Sequence, residues 1–87
     1  MTKTVAVTIE VEVMVDETKF TEEWMTEFRK TMYNFRTIND HMKHIAQLQA
    51  REIINLENHP KEFIEGYGHA NEMGISAMIV GQDEEVQ

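Results

Sequence analysis

The chain has 87 residues, a net charge of −8 at neutral pH and no cysteine. A chain of this length forms one small core, so we expect a single domain over residues 1–87. The lack of cysteine excludes disulfides, thiolate nucleophiles and cysteine zinc sites. The acidic balance argues against direct binding to nucleic acid, whose backbone is held by clustered lysine and arginine, and favours a partner with a basic surface.

A long alternating segment from Thr4 to Val15 predicts the first strand. Because the side chains of a strand alternate between its faces, every second residue shares one face. That face is almost purely β-branched, whereas the opposite face is mixed and polar. The β-branched face carries Val5, Val7, Ile9, Val11, Val13 and Val15.

Two helices are predicted after this strand. Thr21 fits an N-cap for a first helix that ends near Asn34, because glutamates fill the first turn and large apolar side chains recur at helical spacing. Thr37, with an aspartate three residues later, predicts a second helix. That helix is expected to run to about Asn58, since the residue before Pro60 is disfavoured in the α conformation.

The C-terminal third predicts short elements. Residues 60–65 fit a single helical turn that packs Phe63 and Ile64 inward, and residues 75–80 fit a short second strand. Gly81 is expected to end that strand and to be followed by a frayed acidic tail over residues 82–87. The ordered core is therefore expected over about residues 3–81.

The predicted fold class is α+β with the order β-α-α-β. A long N-terminal strand and a short C-terminal strand form one small sheet, which packs on a helical hairpin. With strands of unequal length, part of the first strand would keep an unpaired edge. We expect a second copy to cover it through paired first strands, with a strand from another protein as the alternative.

An acidic surface is the predicted partner-binding site. It combines the polar face of the first strand, the turn that follows it and the acidic tail, which meet if the two strands pair. The alternative is a solvated sheet face whose charge only keeps the protein in solution. The predicted partner-binding residues are Glu10, Glu12, Met14, Asp16, Glu17, Asp83, Glu84 and Glu85.

His41 and His44 are the candidate metal ligands, since both lie on the predicted second helix. Their spacing is three rather than the four of the recognised two-histidine helix motif, and no third ligand follows. By helical position, His41 is expected at the border of the apolar stripe and His44 on the outer side. We therefore predict no metal site.

The segment around Pro60 carries the candidate acid/base groups. His59 and His69 flank it, and Glu65 and Tyr67 lie between them. The chain has no nucleophile elbow, phosphate loop or recognisable pair of acids. We predict no enzyme activity and no cofactor, and the alternative is a small enzyme or metal protein that uses His41, His44 or His59.

Three stretches resemble small proteins carried by bacteriophages and prophages: Phe20 to Arg29, His41 to Leu48 and Phe63 to Gly68. Members of that class with a known role are often inhibitors of host machinery, including anti-CRISPR proteins, and act by binding. The resemblance implies a non-enzymatic inhibitor that acts on a basic, nucleic-acid-handling host complex, without direct contact to nucleic acid. The alternative function is a homodimeric structural or accessory phage protein with no inhibitory role.

The location is expected from the same sequence. No apolar run approaches the roughly 20 residues of a membrane span, and Met1 to Lys3 lead directly into a strand rather than into the apolar core of a signal peptide. We expect a soluble protein in the cytoplasm of a bacterial host cell, without membrane contact.

Overall fold

The computed structural model describes all residues from 1 to 87 and confirms a small α+β fold. Two long strands lie at the ends of the chain, and two helices and a short hairpin lie between them. A single 3-10 turn, Glu17–Lys19, precedes the first helix. The elements are β1 (Val5–Met14), α1 (Glu22–Thr31), α2 (Ile38–Ala50), β2 (Phe63–Ile64), β3 (Gly68–His69) and β4 (Ser76–Val86).

The main sheet consists of β1 and β4, which pair antiparallel over their whole length. Val5 lies opposite Val86 at one end and Met14 lies opposite Ser76 at the other. Val80 of β4 has no partner in β1, because the register shifts by one residue between Glu10 and Val11. Such a β-bulge bends the strand that contains it and increases its local twist.

The predictions of a short second strand and a frayed tail over residues 82–87 were wrong. β4 has 11 residues and continues through Gly81 to Val86, and the amide of Gln87 donates a hydrogen bond to the Thr4 carbonyl at 2.8 Å. The acidic run has low strand propensity by itself, but the extended first strand offers it a full set of backbone partners. The strands are thus of similar length, which removes the difference in length from which a dimer was expected.

Both predicted helix starts are confirmed. The Thr21 side chain accepts a hydrogen bond from the Trp24 amide at 3.1 Å. Thr37 and Asp40 form a reciprocal capping box, which satisfies two amides that the first turn of a helix leaves without partners. The Arg36 and Thr37 amides both donate hydrogen bonds to the Asp40 carboxylate, and these bonds hold its pKa below the ordinary value.

The second helix ends at Ala50, earlier than predicted. Glu52 then adopts a φ of 59°, and the chain turns. This turn buries Ile54 and Leu56, and the Gln49 side chain accepts a hydrogen bond from the Leu56 amide at 2.9 Å. A longer helix would leave Ile54 and Leu56 less buried. The predicted end near Asn58 rested on Pro60 alone and did not include this burial.

Residues 60–65 form no helical turn, contrary to the prediction. Phe63 and Ile64 instead pair with β3 in a small hairpin, whose turn uses positive φ at Gly66. Since neighbouring side chains on a strand point to opposite faces, Ile64 is buried as predicted, whereas Phe63 is 62% exposed.

The hydrophobic core lies on the valine face of the sheet, where α2 packs against β1 and β4. Phe28 of α1 belongs to the same core. Its most buried aliphatic side chains include Ile45 of α2 and Ile64 of β2. The partly buried residues packed on it include Val11 and Val13 of β1. The buried members of the cluster are Phe20, Phe28, Ile45, Ile54, Leu56, Ile64, Tyr67, Ala70, Ile75 and Ala77.

Only half of the sheet contributes to this core. Residues 4–8 and 82–87 are exposed on both faces, and we call this segment the projecting ribbon. The rest of the chain is called the body. The long dimension of the molecule is 52 Å against 27 and 18 Å for the others, as expected for a strand pair that extends beyond the helices.

Candidate functional site: the outer face of the sheet

Strand pairing collects four carboxylates on the face of the sheet that points away from the helices, which we call the outer face. Glu10 and Glu12 are even-numbered residues of β1, and the valines that pack on the core are odd-numbered. In the register, Asp83 and Glu85 lie opposite even-numbered residues of β1 and therefore share this face. These four residues are the outer-face acids. They follow one another along the sheet, from Glu85 at the tip of the ribbon to Glu12 above the body.

The outer-face acids form no ion pair. Together, β1 and β4 contain five acidic residues and no lysine or arginine. The ion pairs of the molecule lie within α1, between Arg29 and Glu22 at 2.9 Å and between Lys30 and Glu27 at 2.8 Å. The sheet thus presents a strip of negative charge that forms no ion pair.

A shallow hollow of about 410 Å³ adjoins the outer-face acids at the body end of the sheet. Met14 is 64% exposed and Met78 is 49% exposed in its wall, beside Glu12. Glu57 closes one side and accepts a hydrogen bond from the Ile79 amide. Methionine adapts to partners of irregular shape, so the hollow adds apolar contact to the charged strip.

The other predicted partner-binding residues lie elsewhere. Glu84 is on the valine face, opposite Val7, and its carboxylate accepts a hydrogen bond from the Gln82 side chain at 2.8 Å. Asp16 and Glu17 lie beyond the body end of β1. The structure therefore brings together Glu10, Glu12, Met14, Asp83 and Glu85 on one face, and places Glu84, Asp16 and Glu17 outside it.

Asp16 has a local structural role. Its carboxylate accepts hydrogen bonds from the Thr18 hydroxyl at 2.6 Å and from the Thr18 amide at 3.0 Å. These two hydrogen bonds hold the pKa of Asp16 below its ordinary value. Its carboxylate is thus already engaged in capping the 3-10 turn that leads into α1.

His41 is fully buried, whereas the helical pattern placed it at the border of the apolar stripe. Its Nδ1 lies 2.8 Å from the Tyr67 hydroxyl, and its Nε2 has no hydrogen-bond partner. Burial among aromatic rings, with Phe28 and Phe35 at centroid distances of 4.7 and 5.1 Å, lowers the pKa of His41. Burial also raises the pKa of Tyr67. The pair is therefore neutral at pH 7.

The pairing of His41 with Tyr67 was missed from the sequence, although a signal existed. His41, Ile45 and Gln49 follow one another at intervals of four residues, which places them on one face of α2. Reading His41 as a member of that stripe, rather than as its border, predicts its burial. Its partner comes from the hairpin turn 26 positions later and could not be inferred from spacing.

Of the remaining histidines, His44 lies near Tyr67, with a distance of 6.3 Å between the ring centroids. His44 is partly buried beside Tyr33, and burial lowers its pKa. His59 is exposed, and His69 is exposed with its Nδ1 3.1 Å from the Lys61 carbonyl. No three histidine, aspartate or glutamate side chains lie close enough together to hold a metal ion.

A second apolar hollow, of about 570 Å³, lies between the helices and the small hairpin. Tyr33, Ile53 and Phe63 line it and are about half exposed or more. No sequence pattern indicates this region, because Tyr33 and Ile53 come from two connections of the chain and Phe63 from β2.

Comparisons with known proteins give no relative: no protein-family model, no curated protein and no solved structure matches the chain. Neither α1 nor α2 has the length and apolar character of a membrane-spanning helix.

Proposed function

We propose that the protein is a non-enzymatic inhibitor of the phage type, which binds a basic, nucleic-acid-handling complex of a bacterial host cell through the outer face of its sheet. The observation that supports this proposal best is the row of outer-face acids, Glu10, Glu12, Asp83 and Glu85, on strands without any basic residue. A surface of this sign attracts lysine- and arginine-rich surfaces and repels nucleic acid.

The spacing of the carboxylates supports a nucleic-acid-binding groove as the target. On one face of a strand, successive side chains stand about 7 Å apart, so the acids form a regular row rather than a single charged point. A groove that tracks a polyphosphate backbone presents its own basic residues along a line. The row can therefore occupy such a groove in place of the nucleic acid, which makes the inhibition competitive.

The shallow hollow beside Met14 and Met78 adds apolar contacts that do not depend on charge. Charge complementarity raises association rates and selects among partners, whereas buried apolar contacts at the centre of an interface slow dissociation. Met14 and Met78 stand beside Glu12 and provide such contacts without a shape fixed in advance.

The test compares capture by two variants of equal net charge. One variant neutralises the outer face with Glu10→Gln, Glu12→Gln, Asp83→Asn and Glu85→Gln. The matched control neutralises four exposed acids outside the sheet and outside the ion pairs of α1. These control substitutions are Glu23→Gln, Glu52→Gln, Glu65→Gln and Glu72→Gln.

Each tagged protein is incubated with nuclease-treated bacterial lysate at low and at high salt, and the retained proteins are quantified by mass spectrometry. We expect the wild type and the control to retain a basic protein at a stoichiometric ratio, and the outer-face variant to lose it. High salt and an added DNA or RNA oligonucleotide should both release it. Equal retention by the outer-face variant, or retention indifferent to both salt and oligonucleotide, would contradict the proposal.

A further inference from the structure

The two ends of β1 show which backbone groups it uses to bind β4. The Gln87 amide donates to the Thr4 carbonyl at 2.8 Å, and the Asp16 amide donates to the Gly74 carbonyl at 3.0 Å. In an antiparallel pair the backbone groups of successive residues point alternately toward and away from the partner strand. The backbone groups of the even-numbered residues of β1 therefore point toward β4 at both ends of the strand. The alternation is unbroken between these ends, because the bulge lies in β4 and not in β1.

The odd-numbered residues of β1 consequently point their amides and carbonyls to the opposite edge. No side chain, loop or helix of the chain forms a hydrogen bond to Val5, Val7 or Ile9 at that edge. Between Val5 and Ile9 the strand also has no charged residue, no proline and no bulge. It therefore has none of the features by which natural proteins protect an edge strand.

The outer edge of β4 is protected, in contrast. The Glu57 carboxylate accepts the hydrogen bond of the Ile79 amide, which points away from β1. Toward the tip, Asp83, Glu84 and Glu85 follow one another along the strand. A second copy of β4 aligned antiparallel over this run would oppose carboxylates to carboxylates, which is destabilising. The two edges of one sheet thus differ in their ability to accept another strand.

We propose that a second copy of the chain pairs with the free edge of β1, antiparallel and about a two-fold axis near Thr8. In this register Val7 lies opposite Ile9 of the second copy, and Val5 lies opposite Val11. Glu10 then lies opposite Ala6 of the second copy. If the two-fold axis lay at Glu10 or closer to the C-terminal end of β1, glutamates of the two copies would lie opposite each other. Charge therefore selects the projecting half of β1 for pairing, where the two bodies stand at opposite ends of the joint sheet.

The pairing stabilises the projecting ribbon. Two strands exposed on both faces are marginally stable in water, and three or more are needed for independent stability. The dimer has four, in the order β4-β1-β1-β4, with about eight new backbone hydrogen bonds if every odd-numbered residue from Val5 to Val11 pairs. Because both outer edges are the protected edge of β4, the assembly closes at two copies. The outer-face acids of both copies lie on one side of the joint sheet.

The test compares lysine at two positions of the same face. Val7 is 56% exposed and Val86 is 60% exposed, and they belong to β1 and β4 respectively. Val7→Lys places a charge on the proposed pairing strand, where Glu84 opposite it keeps the monomer folded. Val86→Lys makes the same chemical change on the strand with the protected edge. Circular dichroism verifies that both variants are folded.

Sedimentation equilibrium then gives the mass as a function of concentration. We expect twice the 10.2 kDa chain mass for the wild type and for Val86→Lys. For Val7→Lys we expect a dimer whose dissociation constant is at least about tenfold higher, or a monomer. In hydrogen exchange, the amides of Val5, Val7 and Ile9 should be protected in the wild type and exchange freely in Val7→Lys. A wild-type monomer up to about 1 mM, species larger than two copies, or equal effects of the two lysines would each overturn the proposal.

Discussion

The body and the projecting ribbon use the same two strands in different ways. In the body, Val11 and Val13 pack against the hydrophobic core beneath α2, and Ala77 of β4 is buried opposite Val13. In the ribbon, the equivalent face carries Val5 and Val7, which are half exposed. The residue types are the same, but only the first group is covered by helices.

This difference separates stability from recognition. Burial of apolar area is the main source of folding free energy, and it takes place only in the body. The ribbon carries Asp83 and Glu85, the free edge of β1 and exposed valines, all of which are available to partners. We therefore expect substitutions in the body to change the stability of the fold, and substitutions in the ribbon to change association.

The largest expected effect comes from Ile45, which is fully buried against the sheet in the body. Ile45→Ala removes buried methyl groups and leaves a cavity, so we expect the free energy of unfolding to fall by about 3 kcal/mol. Val7→Ala in the ribbon removes a half-exposed side chain, and we expect a loss below about 0.5 kcal/mol in the monomer. Urea denaturation followed by circular dichroism measures both. Similar losses for the two variants would mean that the ribbon takes part in the core.

A smaller effect is expected from pH, through His41. Burial lowers its pKa in the folded state, opposed by Asp40 and reinforced by His44 and Arg29. Between the ordinary value of 6.5 and the lower folded value, the unfolded chain binds more protons than the folded one. The free energy of unfolding should therefore be fully retained above pH 6.5 and fall as the pH decreases below it.

A pair of variants isolates this contribution. Tyr67→Phe removes the hydroxyl but keeps the buried imidazole, so the decline below pH 6.5 should remain. Adding His41→Phe removes the titrating group without leaving an unpaired hydroxyl, and the decline should become shallower, with His44 as a remaining source. Denaturation curves at a series of pH values give the comparison. An unchanged decline in the double variant would assign the effect to other groups.

The sequence predicted those parts of the fold that depend on local patterns. Alternating valines specified β1, and the capping residues Thr21 and Thr37 specified both helix starts, because their side chains act on amides within the same turn. The end of α2 and the extent of β4 depend on distant partners. Residues 82–87 form a strand only because β1 lies beside them, and nothing in their own sequence indicates this.

The candidate site was predictable to a similar degree. Alternation placed Glu10 and Glu12 on one face of β1 from the sequence alone. The register decided which acids of β4 join them, and it separated Glu84 from Asp83 and Glu85. A one-residue slip would have exchanged these sets, since successive side chains point to opposite faces. Register is set by the bulge and by the body, so the composition of the acidic face required the structure.

The smallest expected effect on stability belongs to the substitutions that should abolish binding. The outer-face acids repel one another weakly along the sheet and have no ion-pair partner, so neutralising all four should leave stability unchanged or raise it by less than about 0.5 kcal/mol. The gain should shrink as salt screens the repulsion in the wild type. Thermal denaturation of the neutral variant at low and high salt tests this. A marked loss of stability would show that these acids support the fold, and a loss of capture would then say nothing about the binding surface.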